Sequence, residues 1–187
     1  MITPIGKSTE EYLETAVVTE GDYGTEDEAK AAFFTAAIET NQFNVYPEVD
    51  CWYFSGSVFG DKPTGRVDFV LTPKQSLIKA GWLNGCLGVE VKKSGHKAGP
   101  MICQMIDYSK SIFRLPDSCG RSLVCPTVIV GFPAFNVTGG VIASIMANNR
   151  LAMAYTHRGL RINCGGKNIF GGQFQHTVEC GYKNGSR

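Results

Sequence analysis

The sequence predicts an α/β fold, with a central mixed β-sheet flanked by helices and a glycine-rich C-terminal β extension. Three observations carry this expectation. Runs of strand length, rich in valine, isoleucine and aromatic residues, alternate with segments of helical period. Two Ser/Thr-x-x-Glu boxes, Ser8–Glu11 and Thr25–Glu28, mark helix starts. Of the chain's residues 22 are glycine, and the last 27 positions are rich in it, as turns and hairpins require.

Each element follows in order. Ser8 caps a short helix to about Val18, which Gly21–Gly24 breaks. Thr25 opens a second helix, Ala29 to Ile38, apolar over most of its circumference and so expected against a sheet. Strands are expected at Val45–Phe54, at Arg66–Leu71 (stopped by Pro73) and at Cys86–Val91. Alternation puts Val67, Phe69 and Leu71 on one face with Asp68 on the other. In the same way Leu87, Val89 and Val91 oppose Glu90 and Lys92. After the loop Gly95–Pro100, Met101–Leu115 reads as an amphipathic helix, and Val124–Phe132 as another buried strand. Gly139–Ala143 suggests a strand, with a helix Ile142–Asn148 as the alternative; Leu151–Tyr155 suggests a strand and Phe174–Tyr182 a hairpin.

The 187 residues are expected to form a single domain, its core at about 25–131 and the extension at about 132–187. A hydrophobic content of 43% and a charged content of 19% suit a globular protein. A net charge of +1 excludes a strongly basic coat for nucleic acid, though not a local basic patch. No apolar run approaches the roughly 18 residues of a membrane span, so no membrane partner is expected. Met1–Lys7 lacks the apolar core of a secretory signal. Seven irregularly spaced cysteines without C-x-x-C read as reduced, mostly buried thiols, which points to the cytoplasm. His157 and His176 have no partner at ligand spacing and read as structural.

The chemistry centres on Glu90-Val91-Lys92. A carboxylate and an ammonium two residues apart on a hydrophobic strand are costly unless paired, or unless they serve a metal ion and a reacting phosphate. If the strand bearing Asp68 pairs with it, both acids emerge on one side. Hard oxygen donors such as Asp68 and Glu90 suit Mg²⁺ or Mn²⁺. Such an ion lowers the pKa of a bound water and stabilises phosphoryl charge, and Lys92 could orient that water.

The order helix, strand, strand with Asp68, strand with Glu90-x-Lys92, helix, strand resembles the PD-(D/E)XK nuclease superfamily. Gln104-x-x-x-Tyr108, starting 14 residues after Glu90, matches the helix motif of its RecB-like and lambda-exonuclease-like branches. The resemblance covers about Thr25 to Gly131, and departs in having Val67 where many members carry proline. It implies a restriction-endonuclease-like core and a metal-dependent nuclease cleaving DNA. In that reading Asp68, Glu90, Lys92 and Gln104 are catalytic. Asp68, Glu90, the Val91 carbonyl and Glu28 would hold the metal, with Glu26 the rival of Glu28, whose place in the capping box already accounts for it. Gln104 and Tyr108 would orient the active site and the DNA strand. Glu48 reads as a solvated strand end. Lys93, His96 and Lys97, in a glycine-flanked loop, suit phosphate-backbone contacts beside Tyr108. The cysteines do not reproduce the iron–sulfur pattern that some RecB-like nucleases carry. DNA is favoured over RNA, a homo-oligomer is compatible, and exonuclease against endonuclease is open. The rival readings are an RNA endonuclease, a catalytically silent nucleic-acid-binding or assembly module on the same fold, and a plain α/β protein with a structural Glu90–Lys92 pair.

Overall fold

The computed structural model describes residues 21–53, 62–82, 85–117, 120–135, 140–165 and 167–171. In chain order its elements are α1 (Glu26–Glu39), β1 (Phe43–Tyr53), β2 (Gly65–Pro73), α2 (Gln75–Lys79), β3 (Cys86–Val91), α3 (Ala98–Ser109), β4 (Ser111–Asp117), β5 (Gly120–Val124), β6 (Pro126–Phe132), α4 (Gly140–Asn148), β7 (Leu151–Tyr155), β8 (Arg161–Cys164) and β9 (Lys167–Phe170). The strands form one mixed sheet in the order β5-β4-β1-β2-β3-β6-β7-β8-β9. β1, β2 and β3 form an antiparallel meander. β3, β6 and β7 run parallel, and α3 lies in the crossover from β3 to β6. The helix expected at Ser8–Val18 and the hairpin at Phe174–Tyr182 lie outside the described residues.

Each face of the sheet has its own core. On one, α1 buries Phe33 and Ala37 over Phe69, Leu71, Val89, Val91 and Phe132. The Phe33 ring lies 5.5 Å from that of Phe69 and 5.4 Å from that of Phe132. On the other face, α3 and α4 bury Met101, Met105, Ile142 and Met146 against Val70 and Ile129. Parallel strands covered on both sides need no polar face, and every residue of β3 is buried. Gly88 makes that packing feasible: a Cβ there would stand 2.7 Å from Ile129 Cδ1 and 2.9 Å from the Phe113 ring.

The capping box at α1 is formed as the sequence predicts, with Glu28 N–H donating to Thr25 Oγ1 and Thr25 N–H to Glu28 Oε2. Other expectations are corrected. The helix beginning near Met101 ends at Ser109, and Ile112–Leu115 belongs to β4. There Phe113 pairs with Cys51, and the period-two burial of Ser111, Phe113 and Leu115 outweighs a helical reading. The strand expected at Val124–Phe132 is divided at Cys125 into β5 and β6. Gly140–Asn148 is a helix, the alternative weighed for that stretch, so the C-terminal part is not all β.

The expected common face of Val67, Phe69 and Leu71 also fails. Phe69 and Leu71 pack beneath α1, whereas Val67 packs with Val49 and Cys51 on the α3 side. The cause lies at Glu48, whose φ of 51° puts a non-glycine residue in the left-handed region within a strand. Pro47 pairs with Phe69 and Val49 with Val67, while Glu48 and Asp68 between them do not pair. Both strands therefore exchange faces at that step.

Candidate active site

Among the described residues only two carboxylates are buried, Asp68 at 8% exposure and Glu90 at 1%. β2 and β3 bring them near each other: each lies one residue beyond the Phe69–Val89 pair, and the Asp68 charge acts on Glu90. Asp68 Oδ2 accepts the Val91 amide N–H at 2.7 Å. A buried carboxylate oxygen is costly to leave without such a donor.

Two lysines complete the arrangement. Lys92 Nζ lies 2.5 Å from Glu90 Oε1 and 3.7 Å from Glu26 Oε2. Lys30, one turn into α1, places Nζ 2.6 Å from Asp68 Oδ1, 3.1 Å from Glu48 Oε1 and 3.5 Å from Glu26 Oε1. Arg66 Nε closes the outer edge, 2.8 Å from Glu48 Oε2. The site thus gathers acids from α1, β1, β2 and β3 around two ammonium groups.

Position in the fold explains how each group arrives. The chain before α1 is clasped to the loop after β3: Tyr23 N–H donates to Ser94 Oγ, and Ser94 Oγ–H donates to the Gly21 carbonyl, both at 2.8 Å. That clasp holds the first turn of α1, with Glu26, beside Lys92. The unpaired step at Glu48 turns its side chain toward the Lys30 ammonium. On the α3 side of the sheet Tyr108 Oη–H donates to the Arg66 carbonyl at 2.8 Å, and Gln104 Nε2–H donates to Tyr108 Oη at 3.0 Å. The pair braces β2 two residues before Asp68.

The electrostatics follow from burial. Desolvation first, and then the Asp68 charge, push the Glu90 carboxyl up to about 7 against the pull of Lys92. For Lys30 burial works to lower the pKa, but Asp68 and then Glu48 outweigh it and hold the ammonium firmly protonated. Lys92 behaves likewise, with Glu90 outweighing burial. Burial, and next the Lys92 charge, lower His96. Burial and the Glu90 charge raise the Tyr108 phenol.

The structure therefore assembles Asp68, Glu90, Lys92 and the Val91 main chain at one point. Glu28 stays at the cap of α1, exposed and outside the ion-pair cluster, and Glu26, its rival, takes the place beside Lys92. Tyr108, expected against nucleic acid, is 1% exposed and hydrogen-bonded inward, so it is a brace rather than a contact surface. Gln104 is bound to it rather than to the acids. Lys93 and Lys97 are exposed and His96 half-buried in the loop leaving β3, at the mouth of the site. Glu48, though exposed, is more than a solvated strand end, since it bridges Lys30 and Arg66. Sequence reasoning missed Lys30 altogether. Its one available signal was the Glu26–Lys30 spacing of one helical turn, which ordinarily marks a surface pair.

Among the described residues no group of three His, Cys, Asp or Glu side chains forms a ready-made metal cage. The carboxylates are instead arranged around the ammonium groups. Their hard oxygen atoms suit Mg²⁺ or Mn²⁺ in donor type. Also among the described residues, no helix is long and apolar enough to cross a membrane. No family model, no curated protein and no solved structure matches this chain.

Proposed function

We propose that this protein is a divalent-metal-dependent nuclease with a restriction-endonuclease-like core, hydrolysing phosphodiester bonds in DNA. One observation carries the reading: the only two buried carboxylates among the described residues lie on adjacent strands, each one residue beyond the Phe69–Val89 pair and each against a lysine ammonium. A buried ion pair seldom gains net stability, so burying two side by side is better explained by chemistry than by folding. The topology supports it too. A helix precedes a three-stranded antiparallel meander, and a crossover helix leads to a strand parallel to the third. This is the arrangement expected of that core.

Asp68, Glu90 and Glu26, with the Val91 carbonyl, would hold Mg²⁺ or Mn²⁺. When bound, the ion supplies Lewis-acid stabilisation of the phosphoryl oxygens and a water of lowered pKa. The chain's own groups do the rest. Lys92, fixed by Glu90, orients the attacking water and offsets charge developing on phosphate. The Val91 amide holds Asp68 in place, and the Gln104–Tyr108 brace fixes the strand that carries it. Lys93, His96 and Lys97 offer cationic contacts for the phosphate backbone at the entrance.

The test is cleavage of linear, covalently closed circular, single-stranded and branched DNA with Mg²⁺ or Mn²⁺, alongside RNA. Cutting of the closed circle would assign an endonuclease. Asp68→Asn, Glu90→Gln and Lys92→Ala should each abolish cleavage while leaving the circular dichroism spectrum intact; activity persisting in Asp68→Asn would refute the assignment. One observation favours a second reading, the catalytically silent module: among the described residues no group of three His, Cys, Asp or Glu side chains stands ready to hold a metal ion. That reading predicts DNA binding without cleavage on every substrate.

A further inference from the structure

We infer that Lys30 is an internal counter-cation that keeps the acidic groups assembled when no metal is bound, and that a divalent ion must displace it to bind; this rests on the nuclease reading above. The geometry carries the inference. One ammonium stands at 2.6, 3.1 and 3.5 Å from carboxylate oxygens of Asp68, Glu48 and Glu26, which come from three separate elements. The three carboxylates converge on one positive charge, and that charge belongs to the chain. Asp68 has only two oxygens, and Oδ2 is committed to the Val91 amide. An ion approaching Asp68 therefore competes with Lys30 for Oδ1.

Lys30 is suited to leave. Its side chain is 23% exposed, so the flexible stem has a route to solvent, whereas Lys92, 16% exposed and against Glu90 at 2% exposure, is the more enclosed of the two. Arg66 remains on Glu48 after the exchange and limits repulsion at the rim. Lys30 is in this sense a positioning residue: it acts on the ion's access through the acids and needs no contact with substrate.

Two measurements on the full chain test this. The first is Mn²⁺ titration calorimetry of the wild type, Lys30→Met, Lys30→Arg and, as control, Asp68→Asn. An opposite charge in contact changes a carboxylate's proton affinity by about 10- to 1000-fold. Lys30→Met should accordingly bind Mn²⁺ at least about tenfold more tightly, Lys30→Arg should behave like the wild type, and Asp68→Asn should lose binding. Equal or weaker binding by Lys30→Met overturns the inference and leaves the nuclease reading standing. A wild type that binds no Mn²⁺ refutes that reading; Lys30→Met binding it there would still support the counter-cation role, and neither binding would overturn both. The second measurement needs no variant, in case Lys30→Met does not fold. Acetylation of lysines in the wild type, followed by mass spectrometry, should show Lys30 several-fold more reactive with saturating Mn²⁺ than with chelator. Unchanged or reduced labelling with Mn²⁺ bound overturns the inference.

Discussion

Replacing Glu90 by glutamine offers a quantitative test of how the site is built. Burial and the neighbouring Asp68 charge raise the Glu90 carboxyl from the ordinary 4.5 to about 7. At about 1.4 kcal/mol per pH unit this is roughly 3 kcal/mol by which the folded chain disfavours the ionised form. Between those two values the folded state binds more protons than the unfolded one, so this group's linkage lowers stability as pH rises through the window. Below it the effect is absent, and above about pH 7 it is fully expressed. Glu90→Gln keeps the shape and removes the charge. It also deprives Lys92 of its nearest partner, leaving Glu26 at 3.7 Å, so the net gain above pH 7 should be about 1–3 kcal/mol. For a chain of this size that corresponds to a rise in Tm of roughly 2–10 °C at pH 8, and no rise at pH 4.5. Thermal unfolding by circular dichroism with chelator present, at both pH values, is the assay. A variant no more stable than the wild type at pH 8, or equally stabilised at both, would show that Glu90 is not held against its own ionisation. A gain in stability joined to a loss of cleavage is the mark of an acid retained for chemistry.

Two further predictions concern packing and binding. Gly88→Ala should destabilise the fold by about 1–3 kcal/mol in urea unfolding, because the added methyl meets Ile129 and the stiff Phe113 ring. A neutral result would mean that the space between β3, β4 and β6 is looser than these distances imply. The double variant Lys93→Ala and Lys97→Ala should weaken DNA binding alike for all sequences, and removing each phosphate-binding cation should lower the salt slope by about one. An unchanged slope would refute a role for this loop in binding phosphate.

Much of the scaffold was legible because it is built from local signals. Cys86–Val91 is apolar apart from one acid and flanked by turns, and its boundaries coincide with β3. The Thr25 capping box gave the start of α1. Asp68 and Glu90 do come onto neighbouring strands, but the alternation that suggested a common side is broken on β2, where Val67 and Phe69 face different cores. What stayed hidden depends on distant pairing. Ile112–Leu115 has spacing compatible with a helix, and only its pairing with β1 makes it a strand. The exchange of faces at Glu48 rests on one left-handed residue, to which glutamate has no particular tendency. Without that step Glu48 and Lys30 read as ordinary surface charges, and their meeting over Asp68 could not be foreseen.

The clasp between Ser94 and the residues ahead of α1 ties together stretches separated by more than 70 positions in the chain. A chain shortened to begin at Thr25 would keep every acid and amine of the centre, yet lose the tether that sets the angle at which the helix meets the strand. Dissections that trim toward a minimal folded unit should therefore stop short of Gly21, since a shorter piece would lose this tether while keeping every charged group of the cluster.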